Sequence, residues 1–259
     1  MQDYNSKIIQ GEKVAQTIWG KGTEELIRAV LNTYTPISPD LSFSFFGHTY
    51  AREALSVKDR QICTLCALAA MGLAPEMTIH FRGSLNLTWT QLEICDALLL
   101  TVFTAGMPKT LNAFNVFHEV LAGLNIEAQT ASPVQDAGDD VYERGLQKGR
   151  AFMGEAWEDF IAPVRDFDEG VAKHLIGDVF GMIFMRPHLS DRIRALILIA
   201  SFSVLENRKL LRLFFPAALR AGVSKEEVAE IIYQMHGYAG WAVIMAAIVV
   251  YREFFQDKT

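Results

Sequence analysis

Apolar residues recur with the spacing of amphipathic helices along most of the chain, and the same pattern occurs twice. Residues 55–121 and residues 189–255 align without a gap, because Leu189 follows Leu55 by 134 positions and the other identical residues keep that offset. Apolar positions spaced three and four residues apart are typical of helices that bury one face. A repeat of this length indicates two copies of one unit that share a core. We therefore predict an all-α tandem repeat.

Helix start signals fall at matching places in the two copies. Ser56 and Ser190 each precede an apolar helical pattern and are suited to cap it. Thr90–Glu93 and Ser224–Glu227 each have the spacing of a capping box, in which a hydroxyl and a carboxylate satisfy backbone N–H groups at the helix start. No stretch of useful length alternates apolar and polar residues as a half-buried strand does.

A polar segment broken by proline and glycine separates the copies. Residues 125–140 read NIEAQTASPVQDAGDD and have the composition of a linker. We expect a first repeat over residues 1–124, this linker, and a second repeat over residues 141–259.

Composition and charge narrow the functional classes. Hydrophobic residues make up 51% of the chain and charged residues 21%, as in a folded protein with a large core. The formal net charge of −6 gives no electrostatic reason to expect binding to nucleic acid or to an anionic membrane. The longest apolar run, Tyr238–Tyr251, is shorter than the ~20 residues that a membrane-spanning helix needs.

The cysteines and the N-terminal stretch favour a cytoplasmic location. Cys63, Cys66 and Cys95 are odd in number and lie in apolar helical patterns, so we expect no disulfide framework and a reducing compartment. Residues 1–13 are polar and lack the apolar region of a secretory signal. We expect a soluble cytoplasmic protein.

One pair of chemically useful side chains occurs in the first copy alone. Glu76 and His80 stand at positions that Leu210 and Phe214 occupy in the second copy. Residues spaced i, i+4 share a helix face and can touch. A carboxylate beside an imidazole orients the ring, holds its tautomer and raises its pKa, which makes a general acid or base. The alternative is a polar pair on a solvated helix surface.

Several residues that differ between the copies are candidates for lining a substrate pocket. Thr104 stands opposite Tyr238, and His236 and Trp241 are found in the second copy alone. Residues 43–50, which end at Tyr50, are rich in aromatic side chains and would suit a flat apolar substrate. Each of these residues is equally compatible with a place in the core.

Three motifs of the first copy resemble, in their order and spacing, those of the carboxymuconolactone decarboxylase family. They are Gly47-x-x-Tyr50-x-Arg52-x-x-Leu55-Ser56-x-x-x-Arg60, Glu76-Met77-x-x-His80-x-Arg82-x-x-Leu85-Asn86 and Ala105-Gly106-Met107-Pro108-x-x-Leu111-Asn112-Ala113. The second copy matches more weakly.

The resemblance implies an all-α fold and a decarboxylation of a carboxylated lactone that needs no cofactor and no metal. It places the catalytic histidine and glutamate of the family at His80 and Glu76. Arg52 would bind a substrate carboxylate through its two-pronged guanidinium, although its counterpart Arg186 is equally consistent with a scaffold role. For Arg60, an ion pair within the first copy, with Glu93 or Glu119, is the expected role.

The resulting hypothesis is a cofactor-independent decarboxylase or lyase that acts on a cyclic, carboxylated or enolisable substrate with a His/Glu acid–base pair. The aromatic additions and the loss of the second pair favour a substrate that has diverged from the catabolic lactone, as in metabolite biosynthesis. Three alternatives stay open: an isomerase or cyclase acting on an aromatic or polyketide-like intermediate, a thiol peroxidase, and a non-catalytic assembly protein. The related alkylhydroperoxidase-D-like proteins carry a Cys-x-x-Cys motif whose cysteines would fall at Leu73 and Glu76 here. This chain contains a Cys-x-x-Cys sequence at a different place, Cys63–Cys66.

The resemblance also implies self-association, because units of this family pair and commonly form hexameric rings. A tandem chain would supply two units, so we expect a homo-oligomer, either three chains in a six-unit ring or a dimer.

Overall fold

The computed structural model describes residues 4–33, 35, 38–130 and 141–255, and these residues form helices joined by short turns. The helices of the first half are α1 (Tyr4–Trp19), α2 (Thr23–Leu31), α3 (Ser38–Thr49), α4 (Val57–Met71), α5 (Ala74–Asn86), α6 (Gln91–Ala105) and α7 (Met107–Gly123). Those of the second half are α8 (Val141–Met153), α9 (Ala156–Phe167), α10 (Glu169–Leu175) with a π-helical continuation (Ile176–Ile183), α11 (Asp191–Val204), α12 (Arg208–Arg220), α13 (Lys225–Gln234), α14 (His236–Ala239) and α15 (Trp241–Phe255). No strand occurs in these ranges, so the all-α prediction is confirmed.

The predicted start signals are used as caps. The hydroxyls of Ser56 and Ser190 accept hydrogen bonds from backbone N–H groups at the starts of α4 and α11. Both capping boxes form, at Thr90–Glu93 and at Ser224–Glu227. Because each cap is a local contact between residues three apart, sequence spacing is enough to predict it.

Each helix of the first half has a counterpart in the second, where α10 with its π-helical continuation matches α3, and α13 with α14 matches α6. In each half the first helix crosses another at a pair of glycines, Gly11 with Gly47 and Gly145 with Gly181. A Cβ atom added at Gly11 would lie 1.8 Å from the carbonyl oxygen of Phe43, so no larger residue fits. The close crossing therefore depends on glycine at these positions.

Helices α4 and α11 pack against each other at the centre of the molecule. Each presents an almost continuous run of buried residues, and the largest buried apolar cluster contains side chains from both halves. The two repeats therefore share one core.

Two further predictions concern the linker and membrane-spanning helices. Residues 131–140 of the predicted linker lie outside the described residues, so the division into residues 1–124 and 141–259 stays a prediction. Among the described residues, no helix combines the length and the apolar character that crossing a bilayer requires.

Candidate functional site

His80 lies on the inner face of α5 and is 5% exposed. Its ring makes edge contacts with Trp19 of α1, at a centroid distance of 6.0 Å, and with Tyr238 of α14, at 5.4 Å. The aromatic contacts come from both halves of the chain. The imidazole therefore sits at the boundary between the repeats.

Gln61 of α4 fixes the orientation and the tautomer of the His80 ring. Its amide nitrogen lies 3.0 Å from Nδ1 of His80 and 2.9 Å from the backbone carbonyl oxygen of the same residue. A carbonyl oxygen can only accept a hydrogen bond, so the nitrogen of the amide must point this way and Nδ1 must accept as well. The neutral ring consequently carries its proton on Nε2. Burial lowers the pKa of His80 to about 3, so the ring is uncharged at neutral pH.

Glu76 does not make the predicted contact with His80. Its side chain is exposed in the first turn of α5, and no ion pair or hydrogen bond joins it to the imidazole in the described structure. The expectation of a raised histidine pKa is therefore wrong, because burial without a neighbouring carboxylate acts in the opposite direction. A carboxylate is favourable in the first turn of a helix, near the backbone N–H groups, and this accounts for Glu76 without a partner.

Tyr238 and Tyr50 bring hydroxyl groups together beside His80. The two hydroxyl oxygens are 2.6 Å apart, and that of Tyr50 is 2.7 Å from Oγ1 of Thr64. Burial raises the pKa of Tyr50 to about 12 and that of Tyr238 well above its ordinary value, so both phenols keep their protons. Of the predicted pocket residues, Tyr238 contacts the imidazole ring, and Tyr50 is joined to it through the Tyr238 hydroxyl.

His236 and Trp241 form an aromatic stack that leads from this cluster to the surface. Their rings are 4.1 Å apart and nearly parallel, and the Tyr233 ring contacts both, at 4.9 Å from His236 and 5.9 Å from Trp241. Phe45 contacts both His236 and Tyr238, which connects the stack to the His80 cluster. Trp241 is 52% exposed, so the stack ends in solvent.

Arg52 is occupied by a carboxylate of the protein itself. Its Nε donates to Glu230 at 2.8 Å, and its guanidinium lies over the ring of Tyr233. Glu230 also accepts a hydrogen bond of 2.6 Å from Arg60, whose side chain is fully buried. The predicted pairing of Arg60 with Glu93 or Glu119 is therefore wrong. Its partner lies in the other repeat, which spacing along the first could not indicate.

Thr104 lies in a different cluster, on the equivalent side of the second repeat. Its neighbour Phe103 contacts the ring of Phe214, which is the counterpart of His80. The hydroxyl of Thr104 is buried without a hydrogen-bond partner among the described residues. A role in binding the substrate at His80 stays a prediction for Thr104, and no described contact supports it.

Comparison with known proteins agrees with this architecture. The model of the "Carboxymuconolactone decarboxylase family" matches residues 40–119 and again residues 170–253, which together are more than half of the chain. The chain belongs to this family. Both matched stretches begin in or near the helix that crosses the glycine pair and end in the last helix of each repeat.

Two relatives of about half this length are similar to parts of the chain. A 4-carboxymuconolactone decarboxylase of Acinetobacter baylyi is 28% identical over 117 residues, which are 45% of this chain and 87% of the relative. An uncharacterised 15.0 kDa protein of Paracoccus denitrificans is 26% identical over 98 residues, which are 37% of this chain and 73% of the relative. Each relative therefore matches about one repeat of this tandem member of the decarboxylase family.

The thiols of this family member are placed where they are unreactive. Cys63 and Cys66 are completely buried in α4, and burial raises the pKa of both. The pKa of Cys95 is raised as well, first by burial and then by Asp96. Since the thiolate is the reactive form of cysteine, these environments do not favour peroxide chemistry. In the described ranges, no group of three or more His, Cys, Asp or Glu side chains is arranged to hold a metal ion.

A cavity of about 470 Å³ lies between α12 and α15 of the second repeat, and one of about 280 Å³ lies between α6 and α7. His80 lines neither of these two cavities. It is almost fully buried, with the rings of Trp19 and Tyr238 against its imidazole.

Sequence reasoning missed Gln61, Thr64 and Gln234. Each is a completely buried polar residue in an apolar helical pattern, and their counterparts at the offset of 134 are Ala195, Leu198 and Leu100. The comparison between repeats that singled out His80 would have found all three.

Proposed function

We propose that the protein is a cofactor-independent carbon–carbon lyase of the decarboxylase type, which acts at His80 on a cyclic, carboxylated and enolisable substrate. Membership of the family and the similarity to a 4-carboxymuconolactone decarboxylase support the reaction class. The single observation that carries the proposal is the buried, uncharged His80 ring, which Gln61 holds with its proton on Nε2.

The chemistry follows from where the electrons go when carbon dioxide leaves. Cleavage of the bond to the carboxylate leaves an electron pair on carbon, and a conjugated lactone carbonyl can take up that charge as an enolate. A fixed hydrogen-bond donor in an enclosed site stabilises the new charge more than the neutral carbonyl. The Nε2–H group of His80 is such a donor, in the way that an uncharged imidazole polarises a carbonyl. Water supplies the proton that the carbanion finally takes up.

Glu76 has no place in this scheme, since its exposed carboxylate does not contact the ring. His80 acts as an uncharged donor rather than as the histidine half of a Glu–His acid–base pair. At neutral pH a charged imidazolium would be too scarce to serve as the acid, because the pKa lies near 3.

The surrounding side chains favour a second candidate, an isomerase or cyclase acting on a flat aromatic substrate. Trp19 and Tyr238 contact the imidazole edge-on, and Phe46 packs against Trp19. Aromatic surfaces of this kind suit a planar ring system better than a small diacid. An isomerase would use the same enolate but would return the proton to a different carbon without release of carbon dioxide.

The test is turnover of 4-carboxymuconolactone, followed by release of carbon dioxide. We expect the wild type to be active, and His80→Ala to lose at least ~10²-fold in kcat, as is usual when an acid–base group or its hydrogen bond is removed. His118→Ala is the matched control, because His118 is exposed on α7, and it should keep full activity. A folded wild type without turnover would exclude this substrate, and equal rates for His80→Ala would exclude this site.

The same family membership supports the proposal of self-association. Met107 and Leu111 are exposed on α7, and Trp241, Met245 and Val249 are exposed along α15, so each repeat presents an apolar stripe. Exposed apolar stripes are typical of protein interfaces. We expect a trimer or dimer in light scattering, and a monomer at micromolar concentration would contradict this.

The cytoplasm remains the proposed location. Its support is the presence of three unpaired cysteines, which suit a reducing compartment. Recovery of the protein in an oxidising compartment on cell fractionation would contradict it.

A further inference from the structure

A hydrogen-bond chain begins at the buried guanidinium of Arg60 and crosses into the second repeat. Nη1 of Arg60 donates to Oε1 of Gln234 at 3.2 Å, and this contact fixes which end of the amide faces Arg60. Nε2 of Gln234 then donates to the backbone carbonyl of Arg60 at 2.9 Å and to Oγ1 of Thr64 at 2.7 Å. Both amide hydrogens are thereby used, and Thr64 accepts one of them while its own hydrogen stays available for a further contact.

The next links run through three hydroxyl groups, each of which has a single hydrogen to give. The hydroxyl oxygens of Thr64 and Tyr50 are 2.7 Å apart and those of Tyr50 and Tyr238 are 2.6 Å apart, and either member of each pair can be the donor. When Thr64 donates to Tyr50 and Tyr50 donates to Tyr238, the Tyr238 hydroxyl keeps its hydrogen for another acceptor. Tyr238 also interacts with Thr64, but more weakly than with Tyr50. A ligand oxygen beside Tyr238 would favour this direction, because it leaves a donor at the end of the chain.

The Tyr238 hydroxyl is carried by a ring in edge contact with His80, at a centroid distance of 5.4 Å. The described hydrogen bond of the imidazole is made by Nδ1 to Gln61, which leaves the Nε2–H group as a second donor. Two neighbouring rings thus each offer a donor, and a carbonyl or carboxylate oxygen of a ligand can accept from both.

We propose that the hydroxyl of Tyr238 and the Nε2–H of His80 together bind one oxygen atom of the ligand, a carbonyl or carboxylate oxygen that gains negative charge during the reaction. The inference rests on the proposed function of His80. It makes Tyr238 a second catalytic residue, and it means that the repeat without a histidine completes the site of the other. Two uncharged donors on one oxygen form an oxyanion site, which favours an enolate over the neutral carbonyl.

Kinetics of Tyr238→Phe test the catalytic part of this inference. We expect kcat for 4-carboxymuconolactone to fall by ~10²-fold while KM changes far less, because the bond to the oxygen strengthens as its charge develops. Tyr251→Phe is the control, since its hydroxyl donates to the carbonyl of Lys225 at the surface, and it should leave both constants unchanged. An unchanged kcat in an active, folded Tyr238→Phe variant would overturn the inference.

A crystal structure of the ligand-free protein tests the geometry without any substrate. We expect an ordered water that accepts hydrogen bonds from both Nε2 of His80 and the hydroxyl of Tyr238, each over about 3 Å. If such a water is present and the wild type does not turn over 4-carboxymuconolactone, the proposed substrate fails and the oxyanion site stands. If the Tyr238 hydroxyl instead donates to a protein acceptor, or apolar atoms fill the position, the inference is overturned whatever the activity.

Discussion

The site around His80 and its counterpart around Phe214 occupy equivalent positions in the two repeats but have opposite chemistry. At the offset of 134, four of the five polar residues become apolar: His80, Gln61, Tyr50 and Thr64 correspond to Phe214, Ala195, Phe184 and Leu198. The fifth, Tyr238, corresponds to the smaller Thr104. Phe214 is 1% exposed and packs against four other phenylalanine rings. One position holds an enclosed hydrogen-bond network and the other is solid hydrophobic core.

The ion pairs that surround the two positions have been kept. Arg52 pairs with Glu230, and at the same offset Arg186 pairs with Asp96. Both pairs join one repeat to the other. The ion pairs therefore hold the repeats together at both positions, with or without a polar site between them. Because the second position packs without the hydroxyl and amide groups found around His80, we infer that those groups serve the site rather than the packing.

The largest effect on stability is expected when Glu230 is changed to glutamine. Arg60 is fully buried and would lose its carboxylate, so we expect Glu230→Gln to lower the free energy of unfolding by about 3–5 kcal/mol. The equivalent Asp96→Asn should cost less, because its partners Arg186 and His188 reach solvent. Urea unfolding at pH 7 measures both. A larger loss for Asp96→Asn would show that the second site depends more on its ion pairs than the first.

A smaller effect is expected in the pH dependence of stability, which should differ between a histidine and a phenylalanine at position 80. Burial lowers the pKa of His80 to about 3, whereas in the unfolded chain the imidazole is protonated below about pH 6.5. The contribution of the neutral ring to the free energy of unfolding is therefore complete above pH 6.5. It is lost as the pH falls below this value, by about 1.4 kcal/mol for each pH unit.

The variant that tests this is His80→Phe, which copies the second repeat. Between pH 7 and pH 5 we expect the wild type to lose about 2 kcal/mol more than His80→Phe. His118→Ala, which removes an exposed histidine, is the matched control. Parallel curves for the wild type and His80→Phe would mean that the ring is not held neutral.

The smallest effect concerns the side-chain volume that is packed next to each of the two sites. Gly237 leaves space for the Phe45 ring, and at the offset of 134 the large and small residues are exchanged, as Phe103 and Val179. A Cβ atom at Gly237 would lie 2.2 Å from the Phe45 ring, so we expect Gly237→Ala to destabilise the fold by about 1 kcal/mol. Adding Phe45→Val should restore the loss, and chemical unfolding of the single and double variants measures it. A double variant that is less stable than Gly237→Ala would refute this exchange of volume.

Sequence predicted the parts of the structure that depend on near neighbours. Ser56, Ser190 and the capping boxes act within three residues, and helical periodicity reports which positions are apolar whatever they pack against. The spacing of Glu76 and His80 showed that the two could touch. It could not show that only His80 faces the interior, because packing against α1 and α4 decides this.

The remaining parts of the site depend on contacts between distant residues. Gln61 reaches His80 across 19 positions, and Arg60 reaches Glu230 across 170. No periodicity in one repeat reports such pairs. Comparing the repeats with each other recovers the residues that differ, such as Gln61, but not the partners they bind.

The fixed offset between the repeats also has a genetic consequence. If the two repeats were separate identical chains, every substitution would appear on both sides of their interface at once. Encoding both in one chain removes that restriction, so Phe214 could be acquired while His80 was retained. The two repeats of a tandem chain can thus diverge in sequence while they stay paired, and one repeat can change to suit the site of the other.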